Sequence, residues 1–154
     1  MPAPVTAAYT GRLILQVNDS SGKPQTHSLM FDLQGSPEQG QLDLSTTLGT
    51  LLAQAQWTPR QAALTSSKGS QIYPDIAALS QAALGQDIPL QALFDWLRAR
   101  PWSGAPVEQS SAQGFTQLHW RIDLSRWDRQ VVMAERTLPS RVRLTLQLAP
   151  KAAS

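Results

Sequence analysis

Gln41-Leu42-Asp43-Leu44-Ser45-Thr46-Thr47-Leu48-Gly49-Thr50-Leu51-Leu52-Ala53-Gln54-Ala55-Gln56-Trp57 is the stretch from which the fold is read. Leu42 and Leu44 alternate with Gln41, Asp43 and Ser45; beyond the turn, Leu51, Ala53, Ala55 and Trp57 alternate with Gln54 and Gln56. A period of two marks a strand with one buried face, so the segment predicts two antiparallel strands joined by a short turn. At the tip of that turn stands Leu48, followed by Gly49. A leucine left in water there forgoes the roughly 1.5–3 kcal/mol that burying such a side chain is worth. Two readings are open: Leu48 folds back onto the core, or a membrane, a lipid or a partner covers it.

The same alternation extends outward. In residues 11–17, Leu13, Leu15 and Val17 oppose Arg12 and Gln16, with Ile14 as one apolar group on the second face. In residues 25–34, Leu29, Phe31 and Leu33 oppose Ser28 and Asp32, and turn clusters at 18–24 and 35–40 punctuate the run. These strands and the two around Leu48 form an antiparallel meander with one apolar face. A weaker strand at 61–66 follows, and residues 67–70 turn into Gln71-Ile72-Tyr73.

The period then changes. Asp75 is placed to cap a helix whose Ile76, Leu79, Ala83 and Leu84 share a face, and Gly85 to end it. Pro89 fits the first turn of a second helix with Leu90, Leu93, Phe94 and Leu97 at i, i+3, i+4 and i+7, stopping before Arg100-Pro101. Strands resume after Gly114, where Leu118, Trp120 and Ile122 alternate with Gln117, His119 and Arg121. A weaker strand at 131–135, a Leu138-Pro139-Ser140 turn and a last strand carrying Val142, Leu144, Leu146 and Leu148 complete the chain. The expected fold is mainly β with α: eight or nine strands in an open antiparallel β-barrel or strongly curved sheet, its apolar face covered by two short helices. The 154 residues suit a single domain, 1–154, with its core at about 9–149.

Composition narrows the function. The 13 basic and 11 acidic side chains nearly balance, charged residues make up 16% of the chain, and the arginines are scattered, which speaks against a nucleic-acid partner. Without cysteine this sequence offers no disulfide, thiolate metal ligand, cysteine nucleophile or lipidated cysteine. No apolar run has the length of a membrane-spanning helix, and Met1-Pro2-Ala3-Pro4 has no signal-peptide pattern. His27 and His119 fall in expected strands with no nucleophile turn or metal-ligand spacing beside them, so no catalytic residue, metal site or cofactor is assigned. The pairs Asp123 with Asp128 and Asp75 with Asp87 read as caps or solvated turns. What remains is an apolar sheet with helical lids and tryptophans at 57, 96, 102, 120 and 127. Trp57 and Trp120 are either core or the lining of an internal ligand cavity, whose walls would take up acyl methylene groups at about 0.8 kcal/mol each.

Several blocks resemble the LolB family of outer-membrane lipoprotein receptors. They are Gly11-Arg12-Leu13, the 42–53 strand, x-L-G turn and strand, Tyr73-Pro74-Asp75-Ile76-Ala77-Ala78-Leu79, the 120–127 segment and the 138–145 segment. The most specific is Ile88-Pro89-Leu90-Gln91-Ala92-Leu93-Phe94-Asp95-Trp96-Leu97-Arg98-Ala99-Arg100-Pro101, similar to I-P-L-x-x-L-x-x-W-L-R-x-x-P. The resemblance implies a LolA/LolB-like open barrel and a protein that accepts acylated lipoproteins from the periplasmic carrier LolA. It would place them in the inner leaflet of the outer membrane, on the periplasmic face, as a monomer and without covalent chemistry. By position in the x-L-G motif, Thr47, Leu48 and Gly49 would form the membrane-insertion loop. Leu13, Leu15, Phe31, Leu51, Trp57, Leu79, Phe94, Trp120 and Leu144 would line the acyl-chain cavity, although Leu13 serves equally as plain core. Two departures stand out. The family's N-terminal lipidated cysteine is missing, so the chain either begins behind it or belongs to an unanchored relative; and Thr47 replaces the usual proline, giving a less rigid turn. The alternative is a structural or assembly module of an envelope complex that keeps the fold and fills the cavity with its own side chains.

Overall fold

A computed structural model describes residues 7–18, 23–137 and 141–149. Eleven strands pair antiparallel in the order β6-β5-β4-β3-β2-β1-β11-β10-β9-β8-β7, so the sheet ends on two free edges and is not closed, as an open barrel or curved sheet requires. They are β1 (Ala7–Asn18), β2 (Pro24–Gly35), β3 (Gly40–Ser45), β4 (Leu51–Trp57), β5 (Ala62–Ser66), β6 (Gly69–Tyr73), β7 (Val107–Ser111), β8 (Gly114–Gln117), β9 (Trp120–Asp123), β10 (Val131–Arg136) and β11 (Val142–Leu148). Helices α1 (Ile76–Leu84) and α2 (Leu93–Trp96) lie between β6 and β7. The turn at 138–140 and most of the cluster at 18–24 fall outside the described residues. The chain forms two compact units, one of residues up to Thr10 with Met30–Phe94, the other of Gly11–Leu29 with Asp95–Ser154.

In the first unit the alternation of β3 becomes a strict alternation of burial, with Leu42 and Leu44 inside and Gln41 and Asp43 toward the outer face. Cross-strand register carries it on, Leu33 to Leu42 to Ala55 and Phe31 to Leu44 to Ala53. Trp57 is fully buried, its Nε1 donating to the Pro37 carbonyl at 2.9 Å and its ring meeting Phe94 edge-on at 6.3 Å. Gly40, opposite Trp57, is the residue that lets this ring lie flat on the sheet, because a Cβ there would come within 2.4 Å of the indole. Helix α1 packs on β4, β5 and β6 through Leu79. Its ends are those read from the sequence: the Asp75 carboxylate accepts from the Ala78 N–H at 2.8 Å, and Gly85 closes it at φ 75°. The buried Ser80 hydroxyl then accepts from the Ile88 N–H at 3.0 Å, fixing where the next helical segment begins.

In the second unit β1 and β10 flank β11, and Leu13, Leu15, Val132, Ala134, Leu144 and Leu146 pair across the three strands as one buried face. Three expectations are corrected in the structure. The continuous strand through 117–122 is a hairpin: Leu118 and His119 take φ 55° and 67°, Gln117 pairs with Trp120, and the chain reverses in two residues. A two-residue hairpin needs left-handed backbone at both positions, and leucine and histidine give no glycine signal for it. Among the described residues the strands number eleven rather than eight or nine, partly through this split and partly through β7, whose Val-Glu-Gln-Ser-Ser sequence is exposed throughout and so carries no period. The second helix is broken, with a 3-10 turn at Leu90–Ala92, four α residues, and a close through Ala99 at φ 60°. The Ala99 N–H bonds to the Trp96 carbonyl and the Arg100 N–H to the Asp95 carbonyl, the pairing of a left-handed helix stop, and Arg100 Nε clamps the Asp95 carboxylate at 2.7 Å.

Candidate functional site

The β3–β4 hairpin is closed by three bonds: the Thr46 N–H to the Thr50 carbonyl at 2.8 Å, the Gly49 N–H to the Thr46 carbonyl at 2.9 Å, and the Thr50 N–H to Thr46 Oγ1 at 3.1 Å. Gly49 takes φ 96°, the left-handed position of a three-residue hairpin loop, and nothing lies within 4 Å of where its Cβ would be. Held this way, Leu48 is 94% exposed and does not fold back onto the core. Thr47 occupies the second turn position, where proline would preset the backbone angle, and here the Thr46 hydroxyl ties the loop instead.

The residues expected to line a cavity separate by unit. In the first, Phe31, Trp57, Leu79 and Phe94 are buried; in the second, Leu13, Leu15, Trp120 and Leu144 are buried. Leu51 is the exception, at 56% exposure, because the register shifts at Leu44/Ser45. Ser45 pairs with Leu51 instead of Leu52, which takes Leu51 off the face that Ala53, Ala55 and Trp57 were expected to share with it. Of three clefts within the units, one of about 610 Å³, bordered by Gln34, Gln39, Gln41, Gln56, Ala8 and the edge of Trp57, is mainly apolar, whereas those of about 390 Å³ between Lys68 and Ala82 and about 310 Å³ along β7–β9 are mainly polar.

Outside these groups the chemistry is structural. Among the described residues no cluster of three or more His, Asp or Glu is arranged to hold a metal ion. His27 stands exposed in β2, and His119, in the hairpin turn, lies 3.5 Å from Glu108. Asp123 turns the chain after β9 by accepting from the Ser125 N–H at 2.8 Å; the Ser125 side-chain hydrogen bond first, then this backbone bond and the charges of Arg121 and Arg126, hold its carboxyl below the usual range against the opposing effect of burial. Asp128 sits exposed in a separate 3-10 turn at Trp127–Arg129.

Glu135, mostly buried on β10, receives Arg143 Nε and Nη2 at 3.0 and 2.9 Å, Arg141 at 3.4 Å and Arg121 at 3.9 Å. Burial pushes its carboxyl up, and the Arg143 hydrogen bonds with the charges of Arg141, Arg143 and Arg121 outweigh that, so the net shift is down. A carboxyl depressed in the folded state adds stability that is complete above its unfolded pKa and disappears as pH falls through the folded value. The wild type is therefore expected to melt above Glu135→Gln at neutral pH, with the gap closing as the pH drops below the ordinary glutamate range. Melting curves that stay parallel across that range would exclude the linkage.

Gln117 is a residue that periodicity gave no reason to single out. It is fully buried at the end of β8. Its Oε1 accepts from Trp96 Nε1 and from the Trp102 N–H, both at 2.9 Å, and its Nε2 donates to the carbonyls of Trp102 at 2.6 Å and Ala105 at 2.8 Å. Every donor and acceptor of the amide is used, which binds α2 and the following loop to β8.

The fold is of the class of unclosed antiparallel sheets with short helices, and among the described residues its most exposed large apolar group, Leu48, is held out on a closed hairpin. Comparison with known proteins gives the family. The family model described as "Outer membrane lipoprotein LolB" matches residues 8–151. The chain is 36% identical over 149 residues to the outer-membrane lipoprotein LolB of Bordetella petrii, covering 90% of this chain and 74% of that one. It is 34% identical over 143 residues to that of Bordetella pertussis, covering 85% and 71%. With that of Ralstonia nicotianae it shares 29% over 126 residues, covering 77% and 59%. The chain belongs to the LolB family, a family of lipoprotein receptors and not of enzymes.

Proposed function

We propose that this chain takes acylated lipoproteins from the periplasmic carrier LolA into an apolar cavity and releases them into the inner leaflet of the outer membrane. It works as a monomer and as one functional domain. A receptor role at the outer membrane follows from the family, which does not favour a purely structural module. The observation that carries the proposal is Leu48, 94% exposed on a loop that its own hydrogen bonds hold away from the core. Thr47, Leu48 and Gly49 form the element that enters the membrane. Of the apolar side chains named from the sequence, less Leu51, Phe31, Trp57, Leu79 and Phe94 form the acyl-binding surface of the first unit, and Leu13, Leu15, Trp120 and Leu144 that of the second. No bond is made or broken: cargo moves because the receiving environment binds the acyl chains better than the giving one.

A series of fluorescent fatty-acid probes tests the cavity. Binding is expected to saturate and to tighten about fourfold for each added methylene, the equivalent of about 0.8 kcal/mol per buried CH₂. A signal that rises linearly without saturation, or an affinity independent of chain length, would overturn the acyl-binding surface.

A further inference from the structure

We infer that the membrane contact of this chain is wider than the Leu48 tip and is selective for anionic lipid, with Leu51 and Leu52 as its apolar base and Lys68 as its cationic member. The inference rests on the reading of Leu48 as a membrane-entering residue. Strand register places these groups at one end of the first unit's sheet. Leu44 pairs with Ala53 and Ala53 with Ser66, so the loop beyond Ser45/Leu51 and the turn between Ser66 and Gly69 close the same end. At that end the β-bulge gives β4 an extra residue and leaves Leu51 and Leu52 exposed at 56% and 45%. Neither leucine is spent on the core.

Charge decides what covers them. Across residues 44–54 and 64–70, which build this end, Lys68 is the single charged side chain, and the rest of the polar groups are serine, threonine and glutamine. Lys68 is exposed, and it borders the cleft of about 390 Å³ together with Ser66, Ser67 and Ser70. An ammonium beside hydroxyl donors suits a phosphate, and three exposed leucines suit the acyl boundary beneath it. With no carboxylate among residues 44–54 and 64–70, a phospholipid headgroup of negative charge meets attraction from Lys68 there and no repulsion from those segments.

The test is binding to vesicles of phosphatidylcholine alone and of equal parts phosphatidylcholine and phosphatidylglycerol. Wild type is expected to bind both and to prefer the anionic vesicles. Lys68→Gln should lose about fivefold in affinity for the anionic vesicles and little for the neutral ones. The double variant Leu51→Ser with Leu52→Ser should lose about tenfold on both. Because the chain has no cysteine, Leu52→Cys carries a single environment-sensitive fluorophore, whose emission should shift to the blue when anionic vesicles are added. This readout stands even if the double serine variant folds poorly. Leu48→Ser separates the two levels of the proposal. If it binds as wild type does, the reading of the tip fails. If it alone weakens binding, while Lys68→Gln and the double variant match wild type and the label at residue 52 shows no shift, the tip stands and the wider anionic contact is overturned.

Discussion

Replacing Gln117 by methionine, which nearly keeps the volume and removes the amide, is expected to destabilise the protein by about 4 kcal/mol or more, since four polar groups each lose a partner at about 1–3 kcal/mol apiece. Those groups are the Trp96 indole N–H, whose bond is buried, and the Trp102 N–H and carbonyl and the Ala105 carbonyl, whose bonds are part-buried. Set against a total stability of order 5–15 kcal/mol, such a loss leaves a protein that melts early or does not fold at all. Gln117→Glu should be comparably harmful for a different reason: it keeps the oxygen that accepts both N–H bonds but brings a carboxylate against two carbonyls at a buried residue. Urea unfolding followed by tryptophan fluorescence measures both variants. A loss below about 1 kcal/mol for the methionine variant would show that packing, and not the amide, holds α2 to β8.

Leu48→Glu is expected to act in the opposite way, large in function and negligible in stability. The side chain is 94% exposed and makes no core contact, so its replacement should move the unfolding midpoint by no more than a surface change does, within about 0.5 kcal/mol. At a membrane the same change removes a leucine that gains about 1.5–3 kcal/mol on burial and adds a charge that resists leaving water. A loss of about 3 kcal/mol corresponds to more than a hundredfold in membrane affinity. A large fall in the melting temperature would instead return Leu48 to the core.

Most of the sheet was legible because its residues report burial directly. The alternation at Leu42, Leu44, Ala55 and Trp57, and at Leu13, Leu15, Leu144 and Leu146, reappears as alternation of exposure. The ends of α1 were legible for a local reason, a carboxylate at the cap and a glycine at the stop. What escaped depends on backbone geometry or on partners distant in sequence. The Leu118-His119 turn adopts left-handed angles without glycine or asparagine, β7 has no buried face, and the bulge that exposes Leu51 alters pairing without altering composition. Gln117 meets Trp96 and Trp102, 21 and 15 residues away, through contacts no local pattern encodes. The Leu48 tip was visible as an oddity; its exposure is decided by the Thr46 and Gly49 bonds that close the loop.

The central claim, that an exposed hairpin leucine delivers lipoprotein cargo to the membrane, is tested most directly by following a fluorescent acylated lipoprotein from its soluble complex with LolA into lipid vesicles, in the presence of wild type or Leu48→Glu. Wild type is expected to move the cargo into the vesicles. The Leu48→Glu protein, equally stable, is expected to take the cargo from the carrier and retain it in solution. Delivery by Leu48→Glu at the wild-type rate would contradict the claim, as would a wild type that leaves the cargo on its carrier.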